Sequence, residues 1–267
     1  RGTNYLEISK GAYSMENEGD RQISEIYFIS PFVVSDGKVK EIKITIQKQA
    51  IGSQFSITGT NGDEHVRGVI NTLDNNSNFT SINIESILSR CNKKTEDRRE
   101  SADHKYLQFG DRWKCTNYIH YGKKEALIDL QLDKHYLSDL NEYTLHPALL
   151  DMATGTAQTL NPDYDPSVDL FIPVSYGQIN VYKPLPGRFF SHVVYEAVKI
   201  EGSNTSVFNI QLFDTEGNIL VTIDEFVMKK INPAGLMNLQ DNSENNVEKV
   251  NVLSPAEEFF LQGYRTG

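Results

Sequence analysis

The chain has 267 residues, of which 39% are hydrophobic and 23% charged, the balance of a globular domain with a sizeable core. A formal net charge of −10 argues against nucleic acid or an anionic membrane as the main partner. The apolar runs are too short to cross a bilayer, the N-terminus carries no signal-peptide pattern, and no Walker loop, Rossmann glycine fingerprint, H-E-x-x-H or G-x-S-x-G occurs.

The chain opens with a helix pattern over Thr3 to Glu16, with Tyr5, Leu6, Ile8, Ala12 and Met15 on one face. Strand patterns follow at Ile23 to Ile29, Val39 to Lys48, Gln54 to Thr58 and His65 to Ile70, alternating and β-branched as antiparallel strands are. A short helix fits Ile84 to Cys91. Cys91 and Cys115 form no C-x-x-C pair and read as two free thiols in a reducing cytoplasm. Asn92 to His104, with its charge run Lys93 to Glu100, reads as an exposed linker.

A second helix is expected from Pro147 to Leu160. Pro147 suits a first helical position, where no N–H is missed. The residues around Asp151 (Ala148, Leu149, Leu150, Met152, Ala153, Ala157) are apolar on most of the circumference, so this helix should be buried. A buried carboxyl needs a hydrogen bond, a partner or a proton. Asp151 lies a full turn past Pro147, beyond the positions at which an Asp caps a helix. Strands are expected at Gly177 to Lys183, Phe189 to Ile200, Ser206 to Phe213 and Ile219 to Ile231, with Asp214-Thr215-Glu216-Gly217-Asn218 as a hairpin. Beyond Pro233 the chain is linker-like until Ser254-Pro255-Ala256-Glu257, a capping box that opens another helix. One helix and several antiparallel strands in each half describe an α+β double hotdog, a helix wrapped by a curled sheet, twice in tandem.

Five segments in this order resemble the dehydratase domains of bacterial modular polyketide synthases, especially those with free-standing acyltransferases. They are Gly2-Thr3-Asn4-Tyr5-Leu6-Glu7, Phe109-Gly110-Asp111-Arg112-Trp113, His146-Pro147-Ala148-Leu149-Leu150-Asp151, Phe171-Ile172-Pro173-Val174-Ser175-Tyr176-Gly177 and Ser254-Pro255-Ala256-Glu257-Glu258. The third matches the family's H-P-A-L-L-D motif in full. The resemblance implies a double hotdog, with residues 1–95 as a first subdomain lacking its first strands, 96–233 as a second subdomain and 234–267 as a linker. It implies a tunnel for a β-hydroxyacyl chain carried on the phosphopantetheine arm of an acyl carrier protein, with no metal or organic cofactor. In the family a histidine removes the α-proton and the aspartate of H-P-A-L-L-D, here Asp151, protonates the departing hydroxyl. An apolar tunnel favours the protonated form that a donor needs.

The departures from the family pattern bear on activity. The family histidine belongs to H-x-x-x-G-x-x-x-x-P, and Arg1 stands at that proline, so the base either lies upstream of this chain or is naturally missing from the domain, and without it this chain alone is expected to be inactive. His65, in His65-Val66-Arg67-Gly68, matches a family histidine remote from the chemistry. His104, His120, His135 and His192 read as surface residues, and His146 as a structural hydrogen-bonding group at the helix start. Gly155 stands where the family carries glutamine or histidine to hold the aspartate. It marks either close packing or close approach of a ligand, and Thr154 or Gln158 could hold Asp151 instead. Leu107 and Asp111 replace a family tyrosine and proline, leaving Tyr106 or Tyr176 to bond the substrate.

The candidate site is therefore Asp151 as acid, with His146, Pro147, Gly155, Gln158 and Tyr176 against the substrate. Arg112, Lys114, Lys183 and Arg188 are a candidate basic patch for an acidic carrier protein. The family is often dimeric, and its other partners are neighbouring synthase domains. Three activities fit: dehydration, a double-bond shift or cyclisation, and a non-catalytic docking role. The intact H-P-A-L-L-D motif favours the first.

Overall fold

The computed structural model describes residues 2–14, 21–32, 39–73, 81–99, 109–196 and 204–231. Among the described residues eleven strands form one sheet: β1 (Arg21–Phe28), β2 (Ile42–Lys48), β3 (Ser53–Gly59), β4 (Glu64–Thr72), β5 (Lys94–Asp97), β6 (Thr116–Tyr121), β7 (Glu125–Gln131), β8 (Leu170–Val181), β9 (Arg188–Glu196), β10 (Thr205–Phe213) and β11 (Ile219–Ile231). Their order is β2-β3-β4-β1-β8-β11-β10-β9-β7-β6-β5, with antiparallel neighbours throughout. The two hotdog halves are thus merged, β1 of the first pairing with β8 of the second.

That seam carries polar pairs on one face and buried apolar pairs such as Ile23 and Ile179 on the other. Across it Gln22 donates to Asn180 Oδ1 at 3.0 Å, and Asn180 donates on to Thr222 at 3.1 Å in β11. On both sides of β8 a strand is bulged at a non-glycine residue of positive φ, Glu25 in β1 (φ 52°) and Glu225 in β11 (φ 55°). The bulges re-aim the side chains that follow, so Ile26 and Phe226 both lie opposite Tyr176 and are buried with it. Gly177 sits where it does because a Cβ there would meet Glu225 Cβ at 2.8 Å.

Among the described residues three α-helices accompany the sheet: α1 (Gly2–Ser14), α2 (Ile84–Arg90) and α3 (Pro147–Gly155). Helices α1 and α3 touch, with Leu6, Leu149, Leu150 and Ala153 in the main core. The Thr3 hydroxyl donates to the Pro147 carbonyl at 3.2 Å, and the Glu7 carboxylate accepts from Thr144 N and Leu145 N, each at 2.8 Å. Glu7 thereby fixes the turn that leads into α3. Helix α2 packs instead with Leu127, Phe213 and Ile219 in a separate cluster on the outer side of the sheet. The hairpin at Gly217 (φ 86°) receives the Ile82 N–H, and a Cβ on Gly217 would stand 2.3 Å from the Ile82 carbonyl oxygen.

Three expectations are corrected here. The stretch Asn92 to His104 is not wholly a linker, because Lys94–Asp97 forms β5 against β6, with Thr95 and His120 bonded at 3.0 Å. Its charges suit an edge strand, where they discourage pairing with other chains. The helix from Pro147 does not run unbroken to Leu160: it tightens after Gly155 into a 3-10 turn over Thr156–Leu160. There Thr154 and Thr156 donate their hydroxyls to the carbonyls of Leu150 and Met152, which competes with regular helical bonding. A strand was expected only from Gly177, whereas β8 begins at Leu170. His104, Tyr106, Leu107, residues 234–267 and the capping box at Ser254 lie outside the described residues. Among the described residues no helix is long and apolar enough to cross a membrane.

Candidate active site

Helix α3 starts as its sequence requires. His146 is the N-cap residue, Pro147 occupies the first turn, and Ala148, Leu149 and Leu150 are buried. The His146 Nδ1 accepts the Leu149 N–H at 3.5 Å, which leaves the hydrogen on Nε2, 3.4 Å from Asp139 Oδ2. Burial holds this imidazole below its ordinary pKa, against the opposing pull of Asp139.

Asp151 emerges one turn later and is half-buried. Its Oδ2 accepts the indole Nε1–H of Trp113 at 2.8 Å. Trp113 ends a short 3-10 helix, Asp111–Trp113, closed by its own N–H on the Gly110 carbonyl at 2.9 Å. The preceding residue, Arg112, bonds Asp139 Oδ2 at 2.6 Å and lies 4.4 Å over the Tyr136 ring. The Arg112 guanidinium holds the Asp139 carboxyl below the usual carboxylate range. Asp139 therefore bridges Arg112 and His146, tying the 3-10 helix that carries Trp113 to the start of the helix that carries Asp151.

Tyr176 and Cys115 stand behind the acid. Tyr176 is 1% exposed, stacked on Phe226 with ring centres 4.6 Å apart and edge-on to Phe28 at 5.9 Å. Burial raises its phenol pKa, a hydrogen bond to Thr154 opposes that, and the charge of Asp151 adds to the rise. The Cys115 thiol, 3.9 Å from the Ala148 carbonyl, is pushed up to about 12 by burial, with Asp151 contributing. Both cysteines are buried thiols.

The other candidates distribute as follows. Pro147 is the helix start. A Cβ on Gly155 would meet nothing within 4 Å, so close packing does not account for this glycine. Neither substitute holder suggested for Asp151 takes that part. The Thr154 hydroxyl donates to Leu150, and Gln158 Oε1 accepts the Phe171 N–H at 3.4 Å. In the basic patch Arg112 is paired with Asp139, Lys114 with Asp111 at 2.8 Å and Arg188 with Asp129 at 3.1 Å, while Lys183 is exposed. The cations of these pairs stay about half exposed although Asp129 is buried, and the exposed Lys114–Asp111 pair is worth at most about 1 kcal/mol.

Among the histidines, His65 is buried against Ser30 at 2.8 Å. His120 is bonded to Thr95, and His135 is exposed beside Asp133. The surface reading fails for His192, which is 8% exposed in an interior strand and 2.8 Å from Glu125. His192 also lines a cavity of about 240 Å³ on the outer sheet face with Tyr182, Gln211, Thr222 and Asp224. Asp151 and Trp113 are not part of that cavity. Among the described residues no group of three or more His, Cys, Asp or Glu gathers as metal ligands.

Trp113, Asp139 and Glu7 were not singled out by sequence. Trp113 and Glu7 sat inside quoted segments without a role, and only their placement beside Asp151 and Leu145 gives them one.

Comparison with known proteins gives one answer from three directions. The family described as "Polyketide synthase dehydratase N-terminal domain" matches residues 84–238, more than half of the chain. Polyketide synthase PksM of Bacillus subtilis (strain 168) is 20% identical over 260 residues, covering 86% of this chain, which spans 6% of that relative's length. Among solved structures, a trans-AT polyketide synthase dehydratase domain from Brevibacillus brevis superposes with a TM-score of 0.76 at 17% identity, over 86% of this chain and 85% of that one. The dehydratase domain of the CurJ module of curacin synthase gives 0.75 at 21% identity, over 87% and 83%. The fold is thus that of dehydratase hotdogs, and the chain belongs to the polyketide synthase dehydratase family.

Proposed function

We propose that this chain removes water from a β-hydroxyacyl thioester carried on an acyl carrier protein, leaving an α,β-unsaturated thioester. Asp151 is the general acid: it gives its proton to the β-hydroxyl as the carbon–oxygen bond breaks. A histidine upstream of Arg1 takes the α-proton, and the electron pair left on the α-carbon becomes the new double bond. Neither proton transfer needs a metal or organic cofactor. The observation that carries this reading is the half-buried carboxyl of Asp151 on α3, held by the Trp113 indole at 2.8 Å. His146 and Pro147 set the start of that helix, while Gly155, Gln158 and Tyr176 border the substrate.

The substrate arrives on the phosphopantetheine arm of its carrier, from neighbouring synthase domains in the cytoplasm. Arg112, Lys114, Lys183 and Arg188 form the surface that receives an acidic carrier protein. Replacing Lys114, Lys183 and Arg188 with glutamate, and leaving Arg112 because it also braces the site through Asp139, is expected to raise KM for the carrier-bound substrate and not for a small thioester surrogate. Equal effects on both substrates would dismiss that surface.

The test of the reaction is the intact mass of a β-hydroxyacyl carrier protein incubated with the chain and with a polypeptide extended upstream through the histidine motif. Loss of one water with the extended polypeptide, abolished by Asp151→Asn, is the expected result. Undiminished loss of water in the variant would remove Asp151 from its role.

A further inference from the structure

We infer that Trp113 is the positioning residue of Asp151, its indole N–H fixing the carboxyl through Oδ2 and so assigning the acid's proton to Oδ1. The inference rests on the general-acid role proposed above. An indole nitrogen is a donor only, so in this pair Oδ2 must accept. In the acid form the better acceptor is the carbonyl-type oxygen, and the hydroxyl hydrogen falls to the other. When that hydrogen leaves for the substrate's β-hydroxyl oxygen, forming water, the indole keeps its own hydrogen. Its bond to Oδ2 becomes a bond to an anion, which is roughly twice as strong. The interaction therefore grows as the reaction proceeds, the kind of contact that raises kcat rather than lowering KM.

Two further observations support the assignment. On α3 the residue one turn beyond Asp151 is Gly155, which has no side chain to offer, and the Thr154 hydroxyl is committed to the Leu150 carbonyl at 2.9 Å. Trp113 is itself framed. Its neighbour Arg112 is bonded to Asp139, which also meets His146 at the start of the same helix. Donor and acceptor are thus held by one connected set of contacts, as a group that must keep one oxygen presented to substrate requires.

The test isolates the N–H from the ring. In a polypeptide extended upstream, Trp113→Phe is expected to lower kcat about 10- to 100-fold, the worth of one hydrogen bond to a charged group, with KM nearly unchanged. Benzothienylalanine at position 113 keeps the shape of the indole and replaces only its N–H by sulfur; it should show the same loss. Wild-type kcat in that variant, beside no turnover in Asp151→Asn, would overturn the role of Trp113 and leave the acid in place. Full turnover in Asp151→Asn would overturn the acid itself. Trp113 is the single tryptophan of the 267-residue chain, so its indole N–H gives one NMR resonance. That resonance should move on Asp151→Ala without any turnover being measured, and an unmoved resonance would refute the bond.

Discussion

Glu7 on α1 and Asp151 on α3 are both half-buried acids on touching helices, yet different donors hold them. Glu7 accepts two peptide N–H groups of the turn before α3, each at 2.8 Å. Asp151 accepts from a side chain, the Trp113 indole. Peptide donors are part of the chain path, so a carboxylate that satisfies them helps define where the backbone goes. A side-chain donor fixes an acid without making the backbone depend on it. The contrast separates a carboxylate that shapes the chain path from one proposed to act in the reaction.

Substitutions can break this contrast or sharpen it. The largest effect should come from Asp151→Asn. Dehydration should fall at least about 10²- to 10⁴-fold, the usual worth of a general acid, while the melting temperature stays near wild type. Glu7→Ala should do the reverse: two peptide N–H groups lose their acceptor, at about 2–4 kcal/mol of stability read by denaturant unfolding. A Glu7→Ala protein as stable as wild type would erase the distinction. Gly217→Ala, at positive φ and against the Ile82 carbonyl, should cost about 1–3 kcal/mol far from either acid. Gly155→Ala should instead stabilise by about 0.5–1 kcal/mol, because the backbone there is helical (φ −63°, ψ −29°) and a Cβ has open space.

The smallest effect should be a pH dependence of stability. Burial depresses the His146 and His192 pKa values, outweighing the carboxylates beside them. The unfolded chain takes up protons near pH 6.5, while the folded imidazoles stay neutral to lower pH. Their contribution is therefore complete above that value and declines as pH falls below it. The melting temperature should drop on acidification through this window, above the range where carboxylates titrate. His192→Asn should flatten the drop, and an unchanged slope would assign it to other groups.

Much of this was legible in the residues, and what was not has physical causes. Ile219 to Ile231 was read with the bounds that β11 has, since its turn residues and β-branched pattern agree. Strands β6 and β7 were missed. Leu127 in β7 packs against α2 while Ala126, Ile128 and Leu130 pack in the main core, so both faces are covered and the alternation that marks a strand is lost. The early start of β8 was hidden by Pro173, which sits opposite the register shift at Met228. Asp151 stood out because an acid in an apolar helix is costly wherever it occurs. Trp113 did not, because its partner lies 38 residues on and no local spacing joins a 3-10 turn to a helix across the core.

The β1–β8 seam has a consequence for how the protein melts. β1, from the first half of the chain, is held between β4 and β8, and β8 comes from the second half. Removing the second half would strip β1 of a neighbour and bare a row of peptide groups, an invitation to aggregate. The two halves thus make one cooperative unit. Heating should give a single transition by every probe, and a fragment that stops before Leu170 should not fold alone.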